Sequence, residues 1–280
     1  MSEALKNYVR RIDKLPTIPA IAHEILSLVG DETVSVGKIE SIVENDPAIS
    51  GKILSVANSA FFGSKQSIKT LDNAIMRIGF NNVKNIALGI SIMTMFDDGK
   101  SSQVLDYQRI FNHSVSVGFI ARRLSEELKL SITDEIFING ILHDVGFLVF
   151  SRYFSDIYKD VIKEFGGGRT LLEAEDNIMG FNHADMGEWL AKQWQLPNNV
   201  KDSIQFHHVP SHARRNMKHV AVTHIADYIS TKNILSPVGD DPGYPLESAA
   251  LDTVGISEED LNDIESRLVG YVNDIEGDEH

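Results

Sequence analysis

Asn139-Gly140-Ile141-Leu142-His143-Asp144-Val145-Gly146-Phe147-Leu148-Val149-Phe150 is an apolar run with two adjacent polar residues at its centre. The spacing predicts a helix with Asp134 as its N-cap. Ile136, Gly140, His143, Phe147 and Phe150 fall on one face by the i, i+3/i+4 rule. An aspartate is seldom buried without a partner or a metal. An adjacent His-Asp pair can present a ring nitrogen and a carboxylate oxygen to one cation, or a carboxylate bridge to two. Such a pair on a helix is more often structural than functional, so its meaning depends on the other histidines.

Working outward, the same periodicity recurs in both directions. On the N-terminal side, residues 104–130 form a long helix. His113, Val117, Ile120, Ala121, Leu124 and Leu128 share its apolar stripe, which turns the His113 ring inward. A buried imidazole needs a partner for each nitrogen, and a metal is one solution. On the C-terminal side come Tyr153–Phe165, an acidic helix Thr170–Asn177, and a helix opened by Asn182-His183. A further helix ends at His207-His208, and Met217–Ile229 aligns Val220, His224 and Asp227 at i, i+4 and i+7.

Residues 5–96 read as shorter amphipathic helices. Val36–Asn45 is one. Asp46-Pro47 starts another, with aspartate as cap and proline in the first turn. Leu71–Ile78 and Phe80–Phe96 follow. Asp97–Ser102 is polar and turn-like, and divides the chain into an N-terminal helical part (1–102) and a C-terminal helical part (103–280). No strand alternation and no internal repeat stand out. The expected fold is all-α: two packed helical subdomains, the second closed by a helix over Leu261–Ile275.

The chain has 280 residues, no cysteine and a formal net charge of −14. Any metal must therefore be held by His and carboxylates, without thiolates. The acidic surface argues against nucleic acid as a partner. Apolar runs are too short to span a bilayer and the first residues carry no signal-peptide core, so the default location is the cytoplasm. One local basic cluster, Arg214, Arg215 and Lys218, offers an anion contact beside a site or simply a solvated helix start. Gly243-Tyr244-Pro245 falls in a Pro/Gly loop downstream of Asp227 and carries no assigned role.

In chain order the polar set is His113, His143-Asp144, His183, His207-His208 and Asp227. This resembles the HD superfamily of metal-dependent phosphohydrolases, with the extra histidines resembling its HD-GYP branch. The N-terminal half is similar to HDOD proteins through Leu15-Pro16-Thr17-Ile18-Pro19, Asp46-Pro47-Ala48-Ile49, Leu54–Phe61 and Ala74–Gly79. Gly140–Gly146 and Trp194-Gln195-Leu196-Pro197 carry the same resemblance. It covers about residues 15–230. It implies an HD-like bundle in the second half, and a bacterial signalling or regulatory protein that acts through a protein partner or a nucleotide ligand. It also implies His113, His143, Asp144, His183, His207, His208 and Asp227 as ligands of a divalent metal, one ion or two, drawn from iron, manganese, nickel or zinc. The alternative is a phosphohydrolase acting on a nucleotide or cyclic dinucleotide, in which Asp144 would be catalytic. Phe147 stands where HD-GYP enzymes continue to a lysine, and Phe cannot contact phosphate charge. Val209-Pro210-Ser211 likewise replaces the acidic residue and glycines expected after the His-His pair.

Overall fold

The computed structural model describes residues 1–13, 15, 18–27, 36–44, 46–58, 67–96, 104–165, 169–239 and 243–276. The helices are α1 (Glu3–Val9), α2 (Ala20–Ser27), α3 (Val36–Glu44), α4 (Pro47–Ala57), α5 (Leu71–Ile78), α6 (Phe80–Thr94), α7 (Tyr107–Glu127) and α8 (Thr133–Leu142). They continue as α9 (Val145–Tyr153), α10 (Ser155–Phe165), α11 (Leu171–Met179), α12 (His183–Gln193), α13 (Asn198–Phe206), α14 (Met217–Asn233), α15 (Ser248–Val254) and α16 (Glu258–Glu276). No strand occurs among the described residues, and the fold is all-α. The Asp97–Ser102 junction expected between 1–102 and 103–280 lies outside the described residues.

Two compact units are present. One comprises Met1–Thr17 with Phe96–Glu258, the other Ile18–Met95 with Glu259–His280. In the latter, α2 packs on α6, and α4 on α5 and α6. Asp46 caps α4 by accepting from the Ala48 and Ile49 N–H groups, with Pro47 at the first helical position. Ile25, Ile39, Ile53, Ala74, Ile86 and Ile90 are buried there.

In the other unit α7 packs against α8 and α14, α9 against α12, and α12 against α13. Asp106 caps α7 through the Gln108 and Arg109 N–H groups. The α7–α8 contact is backbone-close because both sides are glycine. A Cβ on Gly140 would lie 2.5 Å from the Gly118 Cα. That approach brings His113 and His143 within reach of one another. Helix α1 also joins this unit: Tyr8 meets Phe154 and Phe181 edge-on, with ring centroids 5.2 and 5.0 Å apart.

The run Asn139–Phe150 is not one continuous helix. α8 ends at Leu142, α9 begins at Val145, and His143-Asp144 form the turn between them. Ile132 rather than Asp134 occupies the N-cap position of α8, and no side chain caps it. The cause of the break is tertiary. A Cβ on Gly146 would lie 2.0 Å from the His183 carbonyl oxygen, so the start of α9 is pressed onto the start of α12. The turn has a chemical consequence. Adjacent residues on an unbroken helix diverge by about 100°, yet here His143 and Asp144 point to the same place: His143 Nε2 lies 3.2 Å from Asp144 Oδ2.

Candidate metal centre

Several helix ends and faces converge here. α7 supplies His113, the α8–α9 turn supplies His143 and Asp144, and α14 supplies Asp227. The start of α12 supplies His183, and the end of α13 supplies His207 and His208. His113, His143, Asp144, His183, His207 and Asp227 are buried, each no more than 2% exposed. His208 is half-buried.

Asp144 stands at the middle and faces two ways. Its Oδ2 lies 3.5 Å from His113 Nε2 and 3.2 Å from His143 Nε2. Its Oδ1 lies 3.4 Å from His183 Nε2 and 3.5 Å from His207 Nε2. Asp227 Oδ1 closes the first side, 3.1 Å from His113 Nε2 and 3.7 Å from His143 Nε2. On the second side the Nε2 atoms of His183 and His208 are 2.7 Å apart. Donor atoms of Asp144, His183, His207 and His208 all lie within 4.8 Å of one another, as do those of His113, His143 and Asp144, and those of His143, His207 and Asp227.

Hydrogen bonds behind the rings fix their tautomers. The Nδ1 atoms of His113, His143 and His207 face the carbonyl oxygens of Leu235 (2.6 Å), Gly140 (2.7 Å) and Ile204 (2.9 Å). A carbonyl only accepts, so each Nδ1 carries a hydrogen and each Nε2 points into the cluster, where it bears a lone pair whenever the ring is neutral. Those three Nε2 atoms and Asp144 Oδ1 have no hydrogen-bond partner. Lone pairs of imidazole nitrogen and carboxylate oxygen facing one another in a buried site repel unless a cation or added protons lie between them. The residues present therefore fit a divalent cation, with the outer hydrogen bonds orienting the ligands as metal sites require.

The titration tendencies follow from the same crowding. Burial works against a charged His143, but the Asp144 and Asp227 carboxylates overcome it and hold the imidazolium well above its ordinary range. Burial would raise Asp144 and Asp227, and the facing imidazoles, His143 foremost, instead hold both carboxyls well below the usual values. His183 is raised against its burial by Glu175 and Asp144. Burial pushes His207 and His208 down, and neighbouring imidazoles add to the effect.

Two residues outside the sequence-derived set belong to the centre. Glu175 on α11 is fully buried. Its Oε2 accepts from both the backbone N–H (2.9 Å) and Nδ1 (2.7 Å) of His183, and its Oε1 accepts from the Tyr158 hydroxyl at 2.7 Å. The signal was present in sequence, since Glu175 sits on the stripe Leu171–Glu175–Met179 at i, i+4, i+8 and so interrupts an apolar face with a carboxylate. Capping boxes at Thr170–Glu173 and Asn182–Asp185, with Gly180 at φ 76° ending α11, set the turn that brings it to His183.

The second is Tyr244, which the sequence left without a role. Its hydroxyl donates to Asp227 Oδ2. Its ring meets His208 edge-on at 4.4 Å. His224, by contrast, is satisfied at both nitrogens, by the His207 carbonyl (2.6 Å) and the Glu247 N–H (3.0 Å), and is not aimed at the centre. Arg214, Arg215 and Lys218 are all exposed, on the bend and first turn of α14, while the ligand-type residues are buried.

A cavity of about 20 Å³ adjoins the donors, bounded by Asp144, Phe147, His183, His208, Asp227 and Tyr244 among others. Among the described residues no lysine or arginine lines it. Phe147 stacks on the His183 ring, centroids 4.2 Å apart at 22°.

Residues 15–210 match the HDOD domain. The chain belongs to the HDOD family. Its relatives include an uncharacterized protein of Treponema pallidum (strain Nichols), 26% identical over 212 residues; the match spans 74% of this chain but only 40% of that protein. A Geobacter sulfurreducens HDOD domain protein of unknown function superposes with a TM-score of 0.82 at 22% identity, covering 98% of this chain and 95% of that one. Two Shewanella amazonensis proteins also share the fold. One, provisionally named a phosphohydrolase, gives a TM-score of 0.69 at 22% identity, covering 97% of each chain. The other, provisionally named a metal-dependent phosphohydrolase, gives 0.61 at 18%, covering 96% of each. At these identities the likeness establishes the fold. Asp227 and Tyr244 lie beyond the residues that match the HDOD domain. No described helix is long and apolar enough to cross a membrane.

Proposed function

We propose that this HDOD protein is a cytoplasmic signalling or regulatory module. Its His/Asp centre holds divalent metal and links metal or ligand occupancy to a protein partner. The observation that carries this reading is the pairing of a complete donor set with a cavity of about 20 Å³. A water needs roughly 10–15 Å³ of such space, whereas pockets for drug-sized ligands span about 300–1,000 Å³. The enclosed space beside the donors is thus water-sized, and no cationic side chain among the described lining residues waits for a phosphate.

His113, His143, Asp144 and Asp227 would hold one ion, and His183, His207, His208 and the other oxygen of Asp144 a second. Nitrogen and carboxylate donors without thiolate suit iron, manganese, nickel or zinc. Bound there, such an ion supplies Lewis acidity and a fixed positive charge. The chain's own contribution is orientation of the donors and restriction of access to them. Backbone carbonyls and Glu175 lock the ring tautomers, and Phe147 covers His183.

The second reading, a phosphohydrolase acting on a nucleotide or cyclic dinucleotide, draws support from the same intact donor set and from the fold shared with the Shewanella proteins. Metal analysis of protein purified without chelator, followed by a phosphodiesterase screen with manganese or iron, separates the two. Bound metal without turnover is expected. Turnover that disappears in Asp144→Ala would establish the hydrolase instead, and protein that takes up none of these metals would overturn both readings.

A further inference from the structure

Among the described donors, only His208 is partly accessible to solvent. His113, His143, Asp144, His183, His207 and Asp227 are buried, while His208 and Tyr244 are half-buried. Tyr244 lines the cavity together with Asp144, His208 and Asp227 and is itself half-buried. We propose that Tyr244 is the specificity-determining residue of this centre, restricting what reaches it to ligands the size of water and excluding phosphate groups. The inference rests on the metal-centre reading above.

Contacts with Asp227, His208 and His224 hold the side chain beside the cavity. The hydroxyl donates to Asp227 Oδ2 and lies 3.3 Å from the His224 carbonyl oxygen. The ring packs edge-on against His208 and lies 5.2 Å from the His224 ring. The backbone beside it is fixed as well. Gly243 has φ +84°, and a Cβ there would come within 3.1 Å of Thr231 Cγ2, so the chain runs close to α14 where only glycine is unstrained. Downstream, the Glu247 N–H donates to His224 Nε2 at 3.0 Å and its carboxylate accepts from the Ser211 N–H at 3.1 Å. The residue is therefore pinned on both sides, with its ring closing a space of about 20 Å³. A tetrahedral phosphate is several times the size of a water, and among the described residues no lysine or arginine lines that space to greet it. Truncating the ring removes the obstruction without touching a nitrogen donor.

The test loads the full chain with manganese and titrates inorganic phosphate, following heat and the manganese electron-spin signal. Metal content is measured in parallel. Wild type and Tyr244→Phe, which keeps the ring, are expected to show no phosphate binding up to millimolar concentration. Tyr244→Ala is expected to bind phosphate at least tenfold more tightly per bound metal ion. Tyr244→Leu keeps an apolar side chain in case the alanine variant does not fold, and is expected to fall between them. Phosphate binding equal in wild type and in the folded truncated variants overturns the proposal, as does its absence from all of them when each carries metal. If wild type carries no metal at all, the metal-centre reading fails and this inference with it.

Discussion

Glu175 grips His183 twice, accepting from its backbone N–H at 2.9 Å and from its Nδ1 at 2.7 Å. One carboxylate thereby fixes both the first residue of α12 and the tautomer of its ring, leaving Nε2 for the centre. Glu175→Gln keeps the shape and one acceptor oxygen, but it removes the negative charge behind the His183 ring and turns the group facing the Tyr158 hydroxyl into a donor. Loss of such an outer partner typically weakens metal binding by roughly 10–100-fold. Metal affinity of the variant, read by competition with a chelating dye, is expected to fall in that range while the helical circular dichroism is retained. An unchanged affinity would show that Glu175 serves packing alone.

Glycine at the helix contacts is the second point of leverage. A Cβ on Gly146 would sit 2.0 Å from the His183 carbonyl oxygen, and one on Gly140 would sit 2.4 Å from the Gly118 nitrogen. These neighbours are backbone and cannot rotate away. Gly146→Ala and Gly140→Ala are each expected to destabilise the protein by about 3 kcal/mol, at the upper end of overpacking costs. At Gly51, exposed within α4, an added methyl group would meet nothing within 4 Å, and the change to Ala is expected to stabilise by roughly 0.5–1 kcal/mol. Urea unfolding of the three variants checks this. Similar midpoints for all three would mean that the close approaches are not maintained in solution.

The contrast between these glycines marks what the sequence revealed. Helical periodicity and caps such as Asp46 before Pro47 are local, and they read directly to the all-α fold and to α4 itself. His113 was legible because its own stripe of Val117, Ile120 and Leu124 says which way it points. The break at His143-Asp144 was not, because residues on both sides are apolar and the interruption comes from Gly146 meeting α12, far along the chain. Glu175 was half-legible: the carboxylate on an apolar stripe was visible, but its partner eight residues on was set by the turn at Gly180. Tyr244 left no local signal, since only folding of its loop onto α14 brings it to Asp227.

His219 offers a pH readout clear of the candidate metal centre. On α14 its Nε2 lies 3.4 Å from Glu135 Oε2, and Asp202 also acts on it. Burial nonetheless holds the imidazole below its ordinary range, with the two carboxylates only partly opposing it. The folded pKa is thus lower than the unfolded value of about 6.5. The unfolded chain takes up the proton first, so the stability contributed by neutral His219 is complete above that value and is lost as pH falls toward the folded pKa. The stability difference between wild type and His219→Gln should therefore shrink from pH 8 to pH 5. A difference constant across that range would contradict the assignment.

Asp144 faces both groups of histidines through its two oxygens, whereas His208 groups with Asp144, His183 and His207. Its Oδ2 faces His113 and His143, and its Oδ1 faces His183 and His207. Removing its charge should therefore affect every metal equivalent at once, while removing a peripheral histidine should affect one. Asp144→Asn keeps the size of the side chain, but an amide nitrogen is no ligand and the lost charge is what offsets the cation. This variant is expected to purify without metal. His208→Ala removes a half-buried ring from the His183–His207 side only and leaves His113, His143 and Asp227 intact. It is expected to retain metal at a lower stoichiometry than wild type. Elemental analysis of the three proteins, loaded identically, gives the comparison, and thermal unfolding with and without chelator gives a second reading, because bound metal raises the melting temperature only where it binds the folded state. Wild-type metal content in Asp144→Asn would mean that the ions, if bound, lie elsewhere. Complete loss in His208→Ala would mean that the two halves are one indivisible site.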